Sequence, residues 1–165
     1  MNRTAGAHVR GQQLHLAFLE PSEHDDPIAT TLCPSARLEP NDSLPEAAKL
    51  GDFKERIATE LRAANVDRVV LVQTRQHASW TYKNAYNRIT AIAALMVASH
   101  DLQLGFSTET TGSIGKYIGV DAKELDTVSY VLFGFDKSPK YWTTGLAQAF
   151  AGAAYGTSMS PSGNG

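Results

Sequence analysis

Apolar and polar residues follow two different periods along this chain. Near the start, Thr4 to His8 and Leu14 to Leu19 have the strand period of two. His15, Ala17 and Leu19 fall on one face, and Leu14, Leu16 and Phe18 on the other. The intervening Val9-Arg10-Gly11-Gln12-Gln13 predicts a tight turn in which Gly11 can supply a positive φ. Glu20 to Pro27, EPSEHDDP, is a polar loop. Ile28 to Leu38 predicts a third strand, which Pro34 restricts to a short or edge position.

The period then changes. Phe53, Ile57, Leu61 and Ala64 recur every three or four residues, which predicts a helix over Asn41 to Ala64. Ser43 and Glu46 have capping-box spacing, Pro45 suits a first turn, and Asn65 suits an end. Gly51 weakens that helix by ~1 kcal/mol relative to Ala and allows a break. Val66 to Gln73, VDRVVLVQ, predicts a central strand buried on both faces. Asn84 to His100 reads as a helix that is apolar almost all round, through Ile89, Ile92, Ala93, Leu95, Met96 and Val97. Leu102 to Thr108 is a further strand. Strand, helix, strand makes a right-handed crossover, so these two strands should be parallel. A short helix is expected around Gly112, Gly115 and Gly119, and another over Asp121 to Phe133 with Val128, Val131 and Leu132 inward. The Ala/Gly-rich stretch Pro139 to Tyr155 predicts a closely packed helix, and Thr157 to Gly165 a flexible tail on a domain of residues 1–156.

Composition narrows the class. A chain of 165 residues with 42% hydrophobic and 19% charged residues suits one folded domain and excludes a disordered one. No run reaches the ~18 to 20 apolar residues of a membrane span. The first twenty residues hold polar side chains where a signal peptide needs its apolar segment, so we expect a cytoplasmic protein. The single Cys33 removes disulfide scaffolds and multi-cysteine metal sites. With 15 Lys+Arg against 17 Asp+Glu, the chain is not a strongly basic nucleic-acid binder, although a local basic patch is allowed.

Three stretches carry a family resemblance. Gly6-Ala7-His8-Val9-Arg10-Gly11 before Leu14-His15-Leu16-Ala17 looks like an opening hairpin. Arg68-Val69-Val70-Leu71-Val72-Gln73 follows the first long helix. Leu102-Gln103-Leu104-Gly105-Phe106-Ser107-Thr108 precedes a Gly/Lys segment and Asp121-Ala122-Lys123. With the element order, over residues 4–155, they resemble the RNase H-like superfamily, closest to its RuvC-like branch and small bacterial relatives of it. The resemblance implies an α/β fold: a five-stranded mixed sheet, three antiparallel strands then two parallel, with helices on its faces.

Nucleases of that fold use two divalent ions, typically Mg²⁺, ~3.5 to 4 Å apart. Such a pair needs several carboxylates to offset its mutual repulsion. The resemblance implies one acid in the first strand, one at the end of the fourth and one or two in the last helix. Those positions fall on His8, on Gln73, and within Thr143 to Gln148. No Asp or Glu follows Asp136, and residues 4–13 and 68–100 contain none. We therefore expect a degenerate site at His8 and Gln73, with no catalytic residue, no metal and no cofactor. Mg²⁺ would enter only if the site were rebuilt, for instance from His8, His77 and Asp136.

Residues 68–100 hold Arg68, Arg75, Lys83 and Arg88 with no acid. Within them, cations and aromatics interleave. Arg75, His77, Trp80, Tyr82, Lys83 and Arg88, with Lys116, are the candidate nucleic-acid contacts, since cations meet phosphates and aromatic faces stack on bases. The bland alternative is a loop anchored by its aromatics. Gly112-Ser113-Ile114-Gly115-Lys116 lacks true phosphate-loop spacing and reads as a glycine turn with an exposed lysine. Lys116 and Lys123 would still add to a phosphate-contacting surface. Glu23-His24-Asp25-Asp26 reads as an exposed connector rather than a metal site, His15 and His100 as a strand-face and a helix-end residue. Cys33 lacks the basic surroundings of a nucleophile.

The expected function is a catalytically inactive RNase H/RuvC-like domain that binds DNA, RNA or a protein partner. The alternatives are a metal-dependent nuclease with a rebuilt site, and a homo-oligomeric module joined through helix 139–155. No membrane partner is expected.

Overall fold

The structure is a computed structural model that describes residues 2–24, 27–74 and 79–159. β1 (Thr4–Arg10) and β2 (Gln13–Pro21) form an antiparallel hairpin that turns at Gly11, whose φ is +62°. β3 (Ala29–Leu38) pairs antiparallel with β2, and β4 (Arg68–Val72) and β5 (Gly105–Glu109) extend the other side in parallel. The sheet order is β3-β2-β1-β4-β5. This is the expected arrangement of three antiparallel strands followed by two parallel ones. β3 lies at an edge, as Pro34 requires. Its register slips opposite Leu16–Phe18, the stretch that contains Pro34, so the missing donor sits in a bulge.

Two layers of helix cover the sheet. On one face, α1 (Glu46–Ala64) and α2 (Tyr82–Asp101) enclose Ala5, Ala7, Val9, Leu14, Leu16 and Phe18 with Phe53, Ile57, Leu61 and Leu95. On the other, α4 (Leu146–Ser158) lies across β1, β2 and β4 over Ala17 and Leu19, with Trp142 and Phe150 beside them. The alternation within β2 therefore splits between the two layers as its sequence requires. All five residues of β4 are buried. The small residues of α4 explain the close packing: a Cβ on Gly152 would come within 2.6 Å of Val72 Cγ2. Those residues face the chain's own sheet, so they do not offer the self-contact surface expected of helix 139–155. α4 continues through Ser158 with Thr157 buried.

Four expectations need correction. α1 begins at Glu46, not Asn41, with Pro45 as its cap and no side-chain cap bond. Ser43 is two residues too early for a capping box, and its N–H and hydroxyl both donate to Asn41 Oδ1. α2 is not buried all round: Ile89 is 64% exposed and Met96 and Val97 about half, because the buried stripe is Ala91, Ala94, Leu95 and Ala98 and these three lie off it. Residues 121–133 form two 3₁₀ turns, Ala122–Thr127 and Tyr130–Phe133, rather than a helix. Val128 and Ser129 are extended between them, and Leu125, Val128 and Phe133 are the inward residues while Val131 is 59% exposed. α4 starts at Leu146, since Tyr141 (φ +66°) and Gly145 (φ +131°) interrupt the chain around a 3₁₀ turn at Trp142–Thr144.

α1 passes unbroken through Gly51, where an added Cβ would meet nothing within 4 Å. Gly51→Ala is thus expected to stabilise the protein by about 0.5–1 kcal/mol, since it restricts the unfolded chain at no steric cost. Urea unfolding measures this; an unchanged or lower midpoint would contradict a solvent-facing, continuous helix. Among the described residues, no helix is long and apolar enough to cross a membrane.

Candidate nucleic-acid interface

Parallel strands bring the ends of β1 and β4 together. Ala7 is level with Leu71, so His8 stands beside Val72 and just before Gln73. Gln73 is held by a backbone bond from its N–H to the Glu109 carbonyl (2.9 Å), and the Thr74 hydroxyl reaches the Val9 carbonyl (3.4 Å). α4 brings Gln148 over the same point, half-exposed between buried Ala147 and Ala149. α3 (Thr111–Ile118) and the turn at Ala122–Thr127 close the far side. Together they enclose a cleft of about 320 Å³ lined by His8, Gln73 and Gln148, and also by Arg10, Arg88, Lys123 and Asp126. It sits at the carboxyl ends of parallel strands, where open α/β sheets place ligands.

The electrostatics of the cleft are positive. Arg10, Arg88 and Lys123 face a single carboxylate, Asp126. Arg88 lies on the second turn of α2. It donates through Nη1 to the Val9 carbonyl (3.0 Å), and its guanidinium lies over the Trp80 ring at 4.3 Å. Burial and the neighbouring Arg10 push its pKa below the usual arginine range. Arg10 donates through Nη1 to the Thr143 carbonyl (3.1 Å).

His8 is directly opposite His15 across the β1–β2 pair. Both are buried, and among the described residues Nδ1 of each has no hydrogen-bond partner. Burial, His15 and the cations Arg88 and Arg10 lower the His8 pKa to about 3, against a smaller opposing pull from the Val72 carbonyl. Burial, Arg37 and Arg10 lower His15 to about 4. Both imidazoles are neutral near neutrality. Gly145 packs directly on the His15 ring.

The two expected degenerate positions therefore meet, with Gln148 from the last helix as the third. Arg88 joins them, and Trp80 buttresses it. Tyr82 and Lys83 lie in the first turn of α2, on a helix rather than in a loop; Tyr82 is 84% exposed and pairs with Tyr86 at 6.0 Å. Lys116 is exposed on α3, and its glycine-rich stretch is helical: Gly115 packs on the Val120 carbonyl instead of cradling a phosphate. Arg68 sits at the opposite end of β4. Arg75 and His77 fall outside the described residues, as do Asp25 and Asp26, while Glu23 and His24 are exposed. Burial and Glu60 raise the Cys33 thiol pKa, the reverse of a nucleophile's. Arg10 and Asp126 were not singled out from the sequence. Period two gave a signal for Arg10, which shares a strand face with His8. Asp126 gave none, because a 3₁₀ turn brings it in.

A pair of Mg²⁺ ions does not suit these residues. One carboxylate, two neutral amides and a neutral imidazole leave the two dications uncompensated beside three positive side chains. Among the described residues, no group of three His, Cys, Asp or Glu could hold an ion.

No protein-family model matches the sequence, and no curated protein does. Solved structures do match. Thermus thermophilus RuvC in complex with a Holliday junction substrate superimposes with a TM-score of 0.73 at 16% identity, over 92% of this chain and 90% of that one. The fold is RuvC-like. A second T. thermophilus RuvC structure gives a TM-score of 0.72 at 16% identity, over 93% and 94% of the two chains. The yeast mitochondrial Holliday junction resolvase Ydc2 gives 0.64 at 10% identity, over 94% and 77%. The RuvC-like sheet accounts for the convergence of His8, Gln73 and Gln148, since β1, β4 and the last helix meet at one point.

Proposed function

We propose that this chain is a RuvC-like domain that binds nucleic acid without cutting it by two-metal chemistry. The observation that carries the reading is the cleft itself. Its three convergent positions hold His8, Gln73 and Gln148, and its charged rim is cationic. A polyanion is attracted to such a rim, whereas a divalent pair is repelled by it. The RuvC relative was solved on a junction substrate, which makes branched DNA the first ligand to try.

Anisotropy titrations with a four-way junction, duplex DNA, single-stranded DNA and RNA test the binding half. If the three rim cations each neutralise one phosphate, the duplex salt slope is about −2.7, a loss of about 40-fold between 50 and 200 mM salt. Affinity that is absent, or indifferent to salt, would refute it. Incubation of the same substrates with Mg²⁺, Mn²⁺ or Zn²⁺ tests the other half. Cleavage abolished by His8→Ala would establish a rebuilt nuclease site instead.

A further inference from the structure

Among the described residues the rim cations carry no counter-charge, two of them are tethered, and Arg88 is also partly buried. Arg88 is fixed from two sides, by the Val9 carbonyl at 3.0 Å and the Trp80 ring at 4.3 Å. A guanidinium has five N–H donors, and the Val9 bond uses one. Arg10 is tethered by the Thr143 carbonyl, and Lys123 projects from the turn on the opposite wall. Among the described residues, none of the three forms an ion pair, not even with Asp126. A half-buried guanidinium without a counter-charge is unfavourable, and its lowered pKa reports that cost. Gln73 and Gln148 add neutral amide donors. His8 lines the same cleft, 4% exposed, with Nδ1 lacking a partner among the described residues.

We infer that this cleft holds a phosphate group directly, with Arg10, Arg88 and Lys123 as its counter-charges and no bridging metal ion. The inference rests on the nucleic-acid reading for its natural ligand, a backbone phosphodiester, and adds how that ligand is held. Two tethered guanidinium groups and one ammonium group here take the electrostatic role that dications play in a two-metal site. Arginine suits it because its planar fork meets two phosphate oxygens at once. The tether to Val9 and the stack on Trp80 set that fork in advance, so little side-chain freedom is lost on binding.

Two measurements on the full chain separate this from the broader proposal. The first titrates inorganic phosphate while following the arginine Nε–Hε resonances by NMR. Saturable shifts confined to Arg88 and Arg10 are expected. The second repeats the DNA titrations in EDTA and in millimolar Mg²⁺. Affinity should survive EDTA and weaken with Mg²⁺, which competes for phosphate. Arg88→Gln with Lys123→Gln should lose about tenfold or more, as removal of two charge-assisted contacts predicts. Arg88→Lys should recover part of that loss, and Arg62→Gln, exposed in the last turn of α1 and outside the cleft, should change little. Melting curves matched to the parent confirm that the variants fold. DNA binding that requires Mg²⁺, or ignores the cleft variants, overturns the phosphate site and leaves the broader proposal standing. Phosphate shifts at Arg88 without any nucleic-acid binding do the reverse. Loss of both signals overturns both.

Discussion

Gly6→Ala is expected to destabilise this protein by about 3 kcal/mol or more, enough to lower its urea midpoint sharply or prevent folding. The change adds one methyl group to the middle of β1, on the face that α4 covers. That methyl would overlap the Ala149 carbonyl oxygen and the Ala153 amide nitrogen. Both are backbone atoms of a helix, so no rotamer change relieves the clash. The helix must lift or the strand must bend, and either opens the layer around Trp142 and Phe150. Gly51→Ala makes the same chemical change on an exposed helix face and should do the opposite. A Gly6→Ala variant with a parental midpoint would show that α4 does not rest on β1 at this depth.

The contact also ties stability to the site. Gly6, Gly152 and Gly156 let α4 lie almost directly on β1 and β4. That proximity brings Gln148 over His8 and Gln73. A Gly6→Ala protein that folds by lifting α4 should therefore also widen the cleft and weaken its ligand. Core packing and cleft geometry are here set by the same absent methyl groups.

Much of this was legible in the sequence, for physical reasons. Period two in Leu14 to Leu19 and the β-branched run Val66 to Gln73 each have one comfortable environment in a layered fold. Strand order followed from short connections and the handedness of the crossover. The meeting of His8 with Gln73 then followed from parallel pairing. The less regular parts were harder. Residues 121–133 have helical spacing, yet Ser129 accepts a bond from the Val131 N–H and splits the segment into two 3₁₀ turns. The first of those turns carries Asp126, which lines the cleft, whereas Asp136 does not. Among the cleft cations, Arg88 and Lys123 were named from the sequence and Arg10 was not. Charge counted along residues 68–100 pointed to a loop, whereas the cleft draws Arg10 from β1, Arg88 from α2 and Lys123 from a turn. A cluster assembled from three distant segments leaves no local signature.

Acid should unfold this protein earlier than its carboxylates require. His8 and His15 are buried opposite each other, with pKa values lowered to about 3 and about 4 from the ordinary 6.5. The unfolded chain takes up both protons as the pH falls through 6.5, and the folded chain resists until far lower. The unfolded state therefore binds more protons across that window, and stability must fall with falling pH. It is fully present above about pH 6.5 and is lost progressively toward pH 3 to 4. Treating the two sites as a coupled pair, the loss between pH 7 and pH 5 is about 2–4 kcal/mol. That interval lies above the carboxylate range, so Asp and Glu contribute little to it. Burial above all, with the guanidinium groups of Arg10, Arg37 and Arg88 beside them, keeps the imidazoles neutral. Urea midpoints at pH 7, 6 and 5 measure the slope. His8→Gln with His15→Gln should flatten it, whatever that variant's absolute stability, because no buried imidazole remains to be protonated on unfolding. A slope that survives the double substitution would place the acid sensitivity in other groups and remove the reason for regarding these two histidines as uncharged.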